Sequence, residues 1–100
     1  MTCHSVTLVN ELGMHARAAA KFVHLGARFG SRIRVAARGR EVDGKSILGL
    51  LLLAAARGTL VTISAEGSDE ADAVSALASL VASGFGEDHG AMPGASGGAR

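Results

Sequence analysis

The 100-residue chain has no tryptophan and no tyrosine, and only three phenylalanines, Phe22, Phe29 and Phe85. None of the three falls in a stretch that reads as a strand, so a sheet on which nucleic acid bases stack is not provided for. Cys3 is the only cysteine, which excludes an internal disulfide and fits a reducing compartment. The longest apolar run, Ile47–Ala56, has ten residues, and a membrane span needs about 20. The N-terminus lacks the basic, apolar and small-residue order of a secretory leader. These absences make a soluble cytoplasmic protein the expectation, with no membrane and no nucleic acid as partner. His4, His24 and His89 show no metal-ligand spacing with one another or with Cys3. There is no glycine-rich nucleotide loop and no convincing pair of acids. Neither a metal nor a cofactor is expected, and nucleotide hydrolysis is disfavoured.

What the chain does have is apolar content, 48% of its residues, enough for one small core. A domain of this size is marginally stable, by about 5–15 kcal/mol. Formal net charge is +1, yet Arg17, Lys21, Arg28, Arg32, Arg34, Arg38, Arg40, Lys45 and Arg57 all lie in the first 57 residues. Most acids come later. The first half can therefore present a basic face to an acidic partner.

The patterning predicts strand, helix, strand, strand, helix, strand, helix. Val6 and Leu8 alternate with Ser5 and Thr7 as a half-buried strand, and Asn10–Gly13 turns. Ala16, Ala19, Ala20, Val23 and Ala27 recur at helical spacing, and Phe22 and Leu25 widen the apolar stripe, until Gly30-Ser31. Ile33, Val35 and Ala37 form a second strand, and Arg38-Gly39 turns the chain into a short hairpin partner, Arg40–Val42. Ser46 to about Ala56 is a second helix, with Leu50 and Leu53 on its core side. Val61, Ile63 and Ala65 share one face of the clearest strand. Gly67-Ser68-Asp69 caps a last helix with a stripe of Ala71, Val74, Leu77, Ala78 and Val81. Four strands whose helices can cover only one face make an α+β two-layer, open-faced sandwich in βαββαβα order. Gly84–Arg100, with six glycines and one proline, reads as a disordered tail.

The chemistry concentrates in Gly13-Met14-His15-Ala16-Arg17-Ala18. A glycine breaks the backbone, and an imidazole and a guanidinium then stand at a helix N-terminus. There, unpaired N–H groups and the helix dipole attract anions. Neutral imidazole is a nucleophile. A phosphoryl group gained by His15 would sit where the backbone donors and Arg17 already point. Ser46 opens the second helix as an N-cap. That helix carries more leucine than its core side can use: Leu48, Leu51, Leu52 and Ala55 face elsewhere. An apolar patch beside a reactive histidine reads as a docking surface.

Asn10–Arg17, Gly44-Lys45-Ser46-Ile47-Leu48-Gly49 and Gly58–Gly67, at their spacings, resemble the HPr family, the histidine phosphocarriers of the bacterial phosphoenolpyruvate-dependent phosphotransferase system. The resemblance covers roughly residues 3 to 86. It implies a domain over residues 1–86 with three helices on one face of a four-stranded antiparallel sheet, followed by a tail over 87–100. It implies phosphate carried on His15, on the ring nitrogen nearer the backbone, with Arg17 stabilising it. Its implied partners are enzyme I and sugar-specific acceptor domains, meeting Ile47, Leu48, Leu51 and Leu52, and a serine kinase acting on Ser46. The protein would be a phosphoryl carrier, not an enzyme. One position departs: the family usually has proline after this arginine, and here it is Ala18, which predicts a looser helix start. Two other readings stand beside the carrier. One is a regulatory module switched at Ser46 or His15 without transport flux. The other is an RNA-binding domain using Arg32, Arg34, Arg38 and Arg40.

Overall fold

The computed structural model describes residues 1–87. Its elements are β1 (Thr2–Thr7), α1 (Ala16–Gly26), β2 (Arg32–Ala37), β3 (Arg40–Asp43), α2 (Ile47–Leu53), β4 (Leu60–Glu66) and α3 (Glu70–Ala82), and a short 3-10 turn, Gly84–Gly86, follows them. The strands form one antiparallel sheet in the order β1-β4-β2-β3, with the three helices on one face. This is the α+β sandwich the patterning predicts.

Alternation places the sheet. Val61, Ile63 and Ala65 on β4 and Ile33 and Val35 on β2 are buried against the helices. Their neighbours Thr62, Ser64, Arg32 and Arg34 look outward. Phe22, Leu50, Leu53, Leu77, Val81 and Phe85 close the core from the other layer. The β2–β3 hairpin turns through Arg38 and Gly39, both at positive φ (51° and 80°), as a two-residue hairpin turn requires.

Expectations for four segments are corrected. On α1 the buried stripe is Ala18, Ala19, Phe22 and Gly26, while Ala16 and Ala27 are exposed. Alanines cannot fix a helix phase, and bulky Phe22 does. Helix α2 stops at Leu53, short of Ala56, because Ala54 adopts a left-handed conformation. Arg38 donates to the carbonyls of Leu53 (2.7 Å) and Ala54 (3.3 Å), and Arg40 to that of Leu52 (3.3 Å). Those two arginines satisfy carbonyls at the helix C-terminus, where positive charge is favoured. Ala55, beyond the turn, is buried rather than outward-facing.

On α3, Ala73 takes the place expected of Ala71, which is exposed. The Asp69 carboxylate does not cap its own helix. It accepts from the N–H groups of Gly30 (2.9 Å) and Ser31 (3.0 Å) and from the Ser31 hydroxyl, tying the α1–β2 turn to α3. These bonds, that of the Ser31 hydroxyl foremost, hold its pKa below the usual carboxylate value.

The fourth correction concerns the tail. Phe85 is 1% exposed, inside the core, and Glu87 is hydrogen-bonded to two residues of the β1–α1 segment. The ordered domain therefore includes Gly84–Glu87. The rest of the predicted tail, 88–100, lies outside the described residues.

Candidate functional site

The segment between β1 and α1 is built to hold His15. Leu8 pairs with the β4 approach, its N–H on the Thr59 carbonyl (2.9 Å) and its carbonyl accepting from Gly58 (2.7 Å). Asn10 then turns inward, fully buried. Gly13 sits at φ +66°, where a Cβ would lie 2.5 Å from the Ala55 carbonyl oxygen, so only glycine fits. The Met14 N–H reaches that same carbonyl (2.9 Å), and the Met14 side chain is buried. The loop is thus clamped on both sides of the residue before the histidine.

His15 occupies the N-cap of α1 in an extended conformation (φ −87°, ψ 179°), and its side chain makes no capping hydrogen bond. The first α1 amide with a backbone acceptor is that of Ala19, on the His15 carbonyl (2.8 Å). The N–H groups of Ala16, Arg17 and Ala18 have no backbone acceptor among the described residues, which leaves three donors at the positive end of the helix. Because residue 18 is alanine, its N–H is one of them; proline would have removed it. The helix nonetheless begins at Ala16, with Ala18 buried.

An open depression of about 830 Å³ lies over this helix start, lined by Leu12, His15, Ala16, Arg17, Lys21, Gly86 and Glu87. The structure thus brings His15 and Arg17 together as expected. Arg17 is exposed and makes no side-chain hydrogen bond or ion pair among the described residues. Lys21 spans to the Phe85 carbonyl (2.7 Å).

Three groups of the site escape sequence reasoning: Lys21, Asn10 and Glu87. The Glu87 carboxylate bonds the His15 Nε2, and its other oxygen accepts from Asn10 Nδ2 at 3.2 Å. Burial pushes its pKa upward, but the hydrogen bonds from His15 and Asn10 and the nearby charges of His15 and Lys21 outweigh it. The net pKa lies below the ordinary glutamate value. Nδ1 of His15 has no partner among the described residues, so it is the ring nitrogen open to the depression. The available signal for Glu87 is Phe85, an aromatic side chain amid glycines, which marks a segment with something to bury.

Ser46 is the N-cap of α2 and accepts from the Gly49 N–H at 3.0 Å. Ile47, Leu48, Leu51 and Leu52 are 38%, 65%, 36% and 63% exposed, as the leucine excess predicts, while Leu50 and Leu53 are fully buried. Helix α2 packs beside α1, and Leu12, 69% exposed, is a further apolar side chain at the surface, lining the His15 depression. His4 and His24 are exposed, and no group of potential metal ligands occurs among the described residues. No helix of the described residues is long and apolar enough to cross a membrane.

An open-faced sandwich that offers one histidine at a helix N-terminus matches known proteins throughout. The family model described as the PTS HPr component phosphorylation site matches residues 3–83. The phosphocarrier protein HPr of Cupriavidus necator is 45% identical over 87 residues, covering 87% of this chain and 98% of that protein. That of Neisseria meningitidis is 44% identical over the same length. The crystal structure of an HPr from Thermoanaerobacter tengcongensis superposes with a TM-score of 0.84 at 41% identity, covering 88% of this chain and 99% of that one. The chain belongs to the HPr family, the phosphocarriers of the phosphotransferase system.

Proposed function

We propose that this protein accepts a phosphoryl group on Nδ1 of His15 from phosphorylated enzyme I and passes it to an acceptor domain of the phosphotransferase system. The observation that carries this reading is the presence, in one depression, of His15 with an unpartnered Nδ1 and of the unpartnered helix amides of Ala16 and Arg17. Phosphoryl transfer asks for positioning and for charge opposite the equatorial oxygens, with little covalent work by the protein. Here the N–H groups of Ala16 and Arg17 and the Arg17 guanidinium supply that charge. The protein is a carrier and a substrate of its partners, resident in the cytoplasm with them. Incubation with phosphoenolpyruvate and enzyme I should give acid-labile phosphate on the chain, discharged on adding an acceptor domain. A chain that takes no label contradicts the reading.

Arg17 should act on transfer and not on folding. It is exposed and pairs with nothing among the described residues, so Arg17→Ala should leave the melting temperature nearly unchanged. Loss of one charge-assisted hydrogen bond, worth about 1.5–3 kcal/mol, should slow transfer about tenfold or more. Unchanged stopped-flow transfer rates would remove Arg17 from the site.

Ile47, Leu48, Leu51 and Leu52 are the surface on which enzyme I and acceptor domains dock, beside the histidine. Leu51→Glu should weaken enzyme I binding about tenfold or more, since it forces an unpartnered charge into an apolar contact. Titration calorimetry measures this, and circular dichroism should show the monomer folded. Unaltered binding would place docking elsewhere. A serine kinase acting on Ser46 would add a dianion at the head of the same patch. The α2 N-terminus tolerates negative charge there, so such a mark would act by repelling a partner and not by unfolding the helix.

A further inference from the structure

The bond between His15 and Glu87 joins residues 72 positions apart, and its supports suggest more than packing. Glu87 lies just beyond a segment anchored twice. Phe85 is 1% exposed in the core, and Lys21 holds its carbonyl at 2.7 Å. Phe85 also adopts φ +61°, in the left-handed region, an uncommon conformation for a bulky residue. Strain of that kind persists where surrounding contacts over-determine it. The consequence is that Glu87 is delivered to the histidine, its side chain 16% exposed against 25% for the His15 ring.

Asn10 completes the arrangement. It is fully buried, a position where an apolar residue would be less costly. Its Nδ2 donates to the Gly13 carbonyl (2.8 Å) and to Glu87 (3.2 Å). A reversed amide would set oxygen against both acceptors, so its orientation is fixed. Its Oδ1 is buried without a partner, which indicates that the side chain is retained for what Nδ2 does.

We propose that Asn10 and Glu87 are positioning residues for the carrier histidine: Asn10 aims the Glu87 carboxylate, and Glu87 keeps the His15 proton on Nε2. This rests on the carrier reading above. A carboxylate only accepts, so the neutral ring facing it must place its N–H on Nε2 and its lone pair on Nδ1. On transfer, that lone pair attacks phosphorus and an Nδ1–P bond forms. The bond from phosphorus to the donor's leaving group breaks, and its electron pair returns to the leaving group. The Nε2 proton stays where it is, so the ring becomes an imidazolium. Glu87 faces that new positive charge from the side away from the phosphoryl group, and the interaction strengthens as the charge develops. Onward transfer reverses each change.

The test uses the full chain with nitrogen-15-labelled histidine, at pH ~8.5, above the ordinary imidazole range. In the native protein the His15 ring shifts should report a proton on Nε2 and a bare Nδ1. Glu87→Gln keeps the shape and loses the charge. It should give a mixture of the two tautomers and transfer slowed about tenfold, with the melting temperature little changed. Asn10→Ala should move the tautomer balance in the same direction. An unchanged tautomer balance in Glu87→Gln, together with an unchanged transfer rate, would overturn the proposal and leave the carrier reading standing. Label that persists in a chain without His15 would end the carrier reading, while the tautomer measurement on unphosphorylated protein would still decide the role of Glu87.

Discussion

His15→Ala should abolish phosphorylation by phosphoenolpyruvate and enzyme I, from complete labelling to none, and leave the domain folded. The loss is total because His4 and His24, the other histidines among the described residues, are exposed within β1 and near the end of α1, and neither occupies a helix N-cap. Folding survives because the imidazole makes no capping hydrogen bond. The backbone of residue 15 is extended, at φ −87° and ψ 179°, a conformation alanine adopts freely. The missing ring frees the Glu87 carboxylate, which water can reach through the open depression. Mass spectrometry of the intact chain with a parallel thermal melt checks both halves. A labelled, folded His15→Ala chain contradicts the assignment.

Phe85→Ala should destabilise the fold more than any of the substitutions at the histidine site or on the leucine patch. Phe85 is among the largest fully buried side chains and packs between α1 and α3. Truncating such a residue costs about 3–5 kcal/mol through lost transfer energy and the cavity left behind. Against a total of about 5–15 kcal/mol, that is a large share. At about 4–8 °C per kcal/mol for a domain of this size, the melting temperature should fall by more than about 12 °C. The 3-10 turn that delivers Glu87 would lose its anchor as well, so transfer should slow at temperatures where the variant remains folded. Urea unfolding measures the first effect. A midpoint equal to that of the native chain would mean that Phe85 does not belong to the core.

Sequence order shows why parts of this molecule are legible and others are not. Gly13, His15 and Arg17 lie within five residues of one another, and the helix that positions them starts at once, so local rules place them. The leucine patch is legible for a similar reason: Leu50 and Leu53 exhaust the inner side of a seven-residue helix, and Leu48, Leu51 and Leu52 are left over. Strand β4 shows its faces by simple alternation. The α1 stripe is misphased at Ala16 and Ala27 because alanine, small and apolar on every side, gives no contrast; Phe22, read as widening the stripe, lies at its centre. Asp69 reads as a helix cap by local rules, but its carboxylate serves a turn 38 residues away. Asn10 and Glu87 lie 77 residues apart, and no local pattern couples them. A glycine-rich end suggests disorder, and the aromatic within it is the one residue that argues otherwise.

The most direct test of the carrier assignment is nitrogen-15 and phosphorus-31 NMR of the full chain after phosphorylation by enzyme I. One phosphoryl group bonded to Nδ1 of His15 is expected, with the amide resonances of Ala16 and Arg17 shifted by new hydrogen bonds to its oxygens. Phosphorus on any other residue, or on Nε2 of His15 with those two amides unmoved, would contradict a site built from this helix N-terminus.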